Sequence, residues 1–148
     1  MSSTRWKRWI FFLPLTPCFL AGLLSSCTLF GGQSSDDKGL LVVAERFNKD
    51  LRWEDYSSAA VCIAPAAKEE FWDEVDRLQR LVRIMDFQVV DVAIADGGRS
   101  GSVTLRFRFY YKRSPQLQTK TLRQQWLFSE KDRAWQIVSD DLQKLMPD

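Results

Sequence analysis

The amino-acid sequence predicts an α+β domain with helices first and an antiparallel meander of about four strands after them. Three observations carry this. Apolar residues recur at helical spacing up to Val82, they follow a period of two from Ile84 onward, and turn-forming or charged clusters separate the strand-like runs. Helices followed by strands, rather than alternating with them, is the order of an α+β fold. The 110 or so residues after Lys38 are about the length of one domain with a single core, and they contain no internal repeat.

The first helix is expected over residues 39–51, where Leu40, Val43, Phe47 and Leu51 share one face. The chain then turns through Arg52-Trp53-Glu54-Asp55-Tyr56. A short second helix over 57–62 is stopped by Pro65, because the residue before proline avoids the helical region. Residues 68–82 form the third, with Phe71, Trp72, Val75, Leu78, Leu81 and Val82 as its apolar stripe. Its acids Glu69, Glu70 and Asp73 come early and Arg80 and Arg83 late, an order that suits the helix dipole.

Residues 84–95 read as the first strand, and the change of parity between Phe87, Val89 and Val90, Val92, Ile94 marks a bulge. Asp96-Gly97-Gly98-Arg99-Ser100-Gly101 is a turn. Val103, Leu105, Phe107, Phe109 and Tyr111 then alternate with Thr104, Arg106, Arg108, Tyr110 and Lys112, the clearest half-buried strand in the chain. A turn is expected at Ser114-Pro115. Residues 119–128 make the next strand, with Leu122, Trp126 and Phe128 on one face, and 135–138 the last, across the polar turn Glu130-Lys131-Asp132-Arg133.

Ahead of the domain, residues 1–26 have the parts of an export signal: Arg5, Lys7 and Arg8, an apolar run from Ile10 to Leu24, then Ser25-Ser26. The close of that segment, Leu24-Ser25-Ser26-Cys27, resembles a bacterial lipoprotein signal peptide. The resemblance implies cleavage between Ser26 and Cys27, and a lipidated Cys27, carrying diacylglycerol and palmitate-type acyl chains, as the first mature residue. A retained membrane anchor is the competing reading; Pro14, Pro17 and Gly22 interrupt a run already short of the roughly 20 apolar residues a span needs. Each buried methylene contributes about 0.8 kcal/mol, so two or more chains hold a protein on a membrane where one does not. Thr28, where enterobacterial inner-membrane lipoproteins carry aspartate, implies the outer membrane, with the domain facing the periplasm. Residues 27–38, with Gly31-Gly32 and Ser34-Ser35-Asp36-Asp37, read as a flexible tether, and 39–148 as the domain.

Loss of the signal removes three of the 21 basic residues, leaving 18 against 19 acids, so the mature chain is near neutral. Residues 27–96 hold 8 basic and 14 acidic side chains and residues 97–148 hold 10 and 5. The basic half is read as a solvated sheet face rather than a nucleic-acid surface. Of the three cysteines Cys18 leaves with the signal and Cys27 is a thioether, so Cys62 has no intramolecular partner and is expected to be a small buried hydrophobe.

Trp126-Leu127-Phe128, the charged turn and Trp135-Gln136-Ile137-Val138 resemble the closing strands of nuclear transport factor-two-like (cystatin-like) domains. Phe47-Asn48-Lys49, Leu51-Arg52-Trp53-Glu54-Asp55-Tyr56 and Ala59-Ala60 are similar to the opening helices of uncharacterised lipoproteins of Gram-negative bacteria. The resemblance implies a curved sheet that wraps a helix into a cone with a mouth able to hold a ligand. Its members include isomerases, dehydratases and binding modules, so the fold alone does not fix an activity.

The chain has no histidine, no Gly-rich phosphate loop and no CxxC pair, so no metal or cofactor is expected. By resemblance, an enzyme of the ketosteroid isomerase or dehydratase type would use an aspartate base, Asp86 or Asp91, and a tyrosine donor, Tyr56, Tyr110 or Tyr111. The reading preferred here is a non-catalytic binding or assembly module, with an envelope protein, a lipid or another apolar ligand as partner and no nucleic acid. Trp53, Trp72, Trp126 and Trp135 are then either anchors for a ligand or core residues. The row Arg106, Arg108 and Lys112, joined by Lys120 and Arg123 on the neighbouring strand, is either a contact for an acidic partner or a solubilising face. Related domains dimerise through the sheet, which implies a homodimer through that face.

Overall fold

The computed structural model describes residues 35–147. The proposed signal peptide, its cleavage site at Ser26 and the lipid attachment site Cys27 lie outside the described residues. Helix α1 (Ser35–Arg52) starts four residues ahead of the predicted boundary, inside the stretch read as tether. It buries Leu40, Ala44, Phe47, Asn48 and Leu51, spaced three and four apart on one face. It ends where Glu54 takes a left-handed φ of 61°, and Asp55 then caps α2 (Tyr56–Ala59), its carboxylate accepting from the Ser58 N–H at 3.1 Å. Short 3-10 turns follow at Ala60–Cys62 and Pro65–Ala67, and α3 (Lys68–Leu81) buries Phe71, Glu74, Val75 and Leu78.

Helix α3 passes without a loop into β1 (Val82–Ala95), the first strand of a curved four-stranded antiparallel sheet in the order β1-β2-β3-β4. Strand β1 pairs with β2 (Ser100–Tyr111) with register shifts at two places, between Ile84 and Asp86 and between Val89 and Asp91. The bulge at Val90 is the one that the parity change predicts; a second, at Met85, carries no signal in the sequence pattern. Asp96, Gly97 and Gly98 all have positive φ in the β1–β2 turn, where Gly97 and Gly98 adopt it at no steric cost.

The β2–β3 turn differs from the expectation. It is made by Lys112 and Arg113, and Ser114 and Pro115 already belong to β3 (Ser114–Ser129). Proline is tolerated there because β4 (Ala134–Ser139) reaches only as far back as Gln125, which leaves the first half of β3 with no neighbour on that side. A further 3-10 turn, Leu142–Leu145, carries no signal in the sequence pattern; it folds Leu142, Leu145 and Met146 into the core. Asp141 precedes it and its carboxylate accepts from the Arg123 N–H at 3.0 Å, satisfying an edge donor beyond the end of β4. The helices cover the concave face of the sheet, and Phe47, Leu105, Phe107, Phe109, Leu122 and Trp126 fill the space between.

Candidate functional site

Besides a hollow of about 320 Å³ at the β1–β2 turn, lined by Gly97, Gly98, Arg99, Phe128, Glu130 and Trp135, two places among the described residues combine space with polar chemistry. The larger is a groove of about 830 Å³ between the exposed flank of α1 and the middle of β1, lined by Val42, Glu45, Arg46, Lys49, Arg52 and Trp53 on one side and Asp86, Phe87, Gln88 and Val89 on the other. On α1 the lining residues follow a 3–4 spacing, so they form a single face turned away from the buried one. Trp53 is 62% exposed at the helix end, with the Arg52 guanidinium 5.4 Å from its ring centroid. Phe87 and Val89 are half-buried and form an apolar floor. Arg52 faces Asp86 across the groove at 3.9 Å, too long and too exposed a pair to close it.

The smaller place holds a feature absent from the sequence reading. Glu74 on α3 is only 4% exposed and lies with Asp140 beside a cavity of about 20 Å³, also walled by Ile63, Ala67, Glu70, Phe71, Val138 and Ser139. Burial, the neighbouring Asp140 and then Glu70 push the Glu74 carboxyl up to about 8, against the opposing pull of Arg77. Asp140 is raised too, by burial first, although its carboxylate accepts from the Leu142 N–H at 3.1 Å. Two carboxyls in one site share a proton, since both cannot ionise without mutual repulsion. The cavity has room for about one water, so the pair cannot receive a substrate. The signal that could have found it is an acid three residues after Phe71 and four before Leu78, on the apolar stripe of α3.

The predicted base and donor groups do not come together. Asp86 is 51% exposed and Asp91 is exposed, neither at the bottom of a closed pocket and neither hydrogen-bonded to a tyrosine among the described residues. Tyr56 is buried, and burial followed by the nearby Glu54 pushes its hydroxyl up to about 12. Tyr110 is half-buried, as is Tyr111, whose hydroxyl donates to the Met146 carbonyl at 3.3 Å. No group of three or more metal-ligating side chains exists among the described residues.

The tryptophans divide. Trp126 and Trp135 are buried, while Trp53 and Trp72 are exposed. The predicted cationic row divides as well. Arg106, Arg108 and Arg123 are exposed on the outward face of the sheet. Lys120 instead pairs with Phe107 and points to the concave side, 6.0 Å from the Phe109 ring, and its ammonium donates to the Lys144 carbonyl at 2.5 Å. Lys112 is also drawn off the row, since in the turn it donates to the Gln79 carbonyl at 2.7 Å and lies 3.7 Å from Glu54. Cys62 is half-buried rather than fully buried, and burial pushes its thiol up, which lowers its thiolate fraction and its reactivity.

Inside the core, Asn48 and Gln124 form a reciprocal amide pair that ties α1 to β3. The Asn48 amide donates to Gln124 Oε1 at 3.2 Å and the Gln124 amide to Asn48 Oδ1 at 2.9 Å, with a further bond from Asn48 to the Ala44 carbonyl at 2.7 Å. Amides that would face a ligand in an open cone here satisfy each other.

No family model and no curated protein matches the chain. Solved structures do. A ketosteroid isomerase-like protein from Erwinia carotovora atroseptica superposes with a TM-score of 0.59 at 10% identity, covering 72% of this chain and 94% of that one. The intermembrane space region of the chloroplast protein ARC6 gives 0.51 at 12%, covering 73% and 96%, and a putative polyketide cyclase from Xanthomonas campestris pv. campestris gives 0.50 at 14%, covering 76% and 97%. The fold is therefore the nuclear transport factor-two-like, cystatin-like α+β fold. At these identities the likeness concerns fold and not activity.

Proposed function

We propose that this chain is a lipid-anchored lipoprotein of the bacterial cell envelope whose domain is a non-catalytic binding module working through the α1–β1 groove. The observation that carries the binding role is the pairing of an 830 Å³ groove with a large exposed aromatic, Trp53, beside a core that is filled. Exposed tryptophan at the rim of a groove is the residue type that dominates binding energy elsewhere. Leu24-Ser25-Ser26-Cys27 supports the anchor and Thr28 the outer membrane, with the domain in the periplasm. The isomerase reading needs an enclosed carboxylate beside a tyrosine, and neither Asp86 nor Asp91 supplies it. A homodimer through the outward sheet face would set Arg106, Arg108 and Arg123 of two copies against each other, so a partner of unlike charge suits that face better.

Two experiments test this. Metabolic labelling with a palmitate analogue is expected to mark the wild-type chain and not Cys27→Ser; equal labelling of both removes the anchor. Photo-crosslinking from residue 53, followed by recovery from envelope membranes, is expected to yield a specific adduct that a crosslinker at exposed Val61 does not; identical products from both positions remove the groove as the binding face.

A further inference from the structure

We propose that the α1–β1 groove takes an extended peptide segment with both apolar and acidic residues on one face, which adds as a short strand to the free edge of β1. This rests on the groove being the binding face, and it specifies the occupant. Four consecutive residues of β1, Asp86 to Val89, line the groove. Successive side chains of a strand point to opposite faces, so four in a row can line one groove only if the strand presents its edge to it. β1 is outermost in the sheet, and among the described residues the backbone of this stretch bonds to β2 alone. Its outward N–H and C=O groups are therefore a template for one more strand.

The bulges set the length. They lie at Met85 and Val90 and bracket a regular ladder from Asp86 to Val89, so pairing is confined to that stretch. About four extended residues span it, at roughly 3.3 Å each, and the facing α1 residues from Val42 to Trp53 run for about 16 Å at 1.5 Å per residue. The side chains set the composition. Val42, Trp53, Phe87 and Val89 offer apolar contact on the walls and floor. Arg46, Lys49 and Arg52 outnumber Glu45 on the helix side; Lys49 is in no ion pair among the described residues, and Arg46 and Arg52 face carboxylates only at 3.9 Å. Every second residue of an added strand points to the α1 side, where both sets lie, so a strand that carries both apolar and acidic residues on that one face meets both. A fatty acid would use the apolar wall but leave the strand edge unpaired. A second copy paired antiparallel through this edge would bring two sets of Arg46, Lys49 and Arg52 onto the same side of the joined sheet, where they repel.

The test is fluorescence anisotropy with the full chain and labelled seven-residue peptides. The probes are a peptide with valine and glutamate both at odd positions and threonine between them, the same residues reordered so that valine and glutamate fall on opposite faces, two versions of the first peptide N-methylated along opposite strand edges, and dodecanoate as a competitor. The one-faced peptide is expected to bind, at least one N-methylated version and the reordered peptide to bind at least about tenfold more weakly, and Lys49→Glu and Trp53→Ala each to weaken binding several-fold. Failure of the one-faced peptide to bind, or equal binding of the reordered peptide and both N-methylated peptides, overturns strand addition. Dodecanoate binding that Trp53→Ala abolishes, with no peptide binding, keeps the groove and rejects the peptide. Loss of Trp53 dependence for every probe removes the groove as well.

Discussion

The interior behind α3 and the groove beside α1 divide between them what an active site would need in one place. The interior has the perturbed chemistry: Glu74 and Asp140 share a buried site, but the free space beside them is about 20 Å³. The groove has the space, about 830 Å³, but its carboxylates Glu45 and Asp86 are solvated. A general acid or base gains a tuned pKa by being buried where a substrate can still reach it. Here burial and access are separated. The difference teaches that the packing which perturbs an acid can also close the space beside it, so acids and tyrosines of the right types stand apart within one fold.

The largest effect that would break the contrast is in the interior. Trp126 is 1% exposed, edge-on to Phe47 at a centroid distance of 6.0 Å, and its indole N–H has no hydrogen-bond partner among the described residues. Trp126→Ala is expected to lower the unfolding free energy in urea by about 3–5 kcal/mol. Trp126→Phe keeps most of the packing and loses no hydrogen bond, so it should cost clearly less. A cost below about 1 kcal/mol for the alanine variant would mean that the interior is loosely filled, and the contrast with the groove would fail.

Next in size is the amide pair. Asn48→Ala leaves Gln124 buried without its partner, at an expected cost of about 1–3 kcal/mol. Replacing both, Asn48→Leu with Gln124→Leu, should cost less than Asn48→Ala alone, because no unpaired polar group remains. Equal losses in the two proteins would show that these amides reach water or a ligand, which would reopen the cone as a site.

The acid pair comes third and is read by pH. The Glu74 carboxyl sits at about 8 in the fold against an ordinary value of 4.5, so folding favours its protonated form. Its stabilising contribution is complete below about pH 4.5 and is lost as pH rises through about 8. The groups that face it are Glu70 and Arg77 on α3 and Asp140 beyond β4. Glu74→Gln should flatten the fall in Tm between pH 5 and pH 8.5, by about 4 °C or more, the shift that about 1 kcal/mol produces in a domain near this size. Identical pH profiles for the two proteins would place the Glu74 carboxyl in contact with water.

The sequence made the fold legible where a period is uninterrupted. β2 alternates without a break, and the structure keeps Val103, Leu105, Phe107 and Phe109 all buried. Legibility fell where a local signal yields to a tertiary one. Pro115 reads as a turn, yet β4 is too short to need its missing N–H, so β3 runs through it. Lys120 sits on a strand that looks outward-facing in charge, but its register against Phe107 turns it to the concave side, where it is half-buried, its stem near Phe109 and its ammonium bonded to a carbonyl at 2.5 Å. The groove was the least legible part. Trp53 and Trp126 are the same residue type, and only the end of α1 at Glu54 and the free edge of β1 determine that the first borders a groove while the second is sealed.

The smallest expected effect on stability is also the one that separates the two regions most cleanly. Trp53 is exposed, follows the last residue of α1 and is held by the bond from its N–H to the Lys49 carbonyl at 3.0 Å, which alanine would keep. Trp53→Ala should therefore change the unfolding free energy by no more than about 0.5 kcal/mol, against several for Trp126→Ala. Its effect on binding should run the other way, because the indole is the largest apolar surface the groove offers and nothing in the fold depends on it. Val61 is the control: it is exposed, outside the groove, and Val61→Ala should leave both stability and binding unchanged. If Trp53→Ala matched Val61→Ala in both measurements, an exposed tryptophan would be ordinary surface, and the groove would lose the feature that distinguishes it from the rest of the molecule.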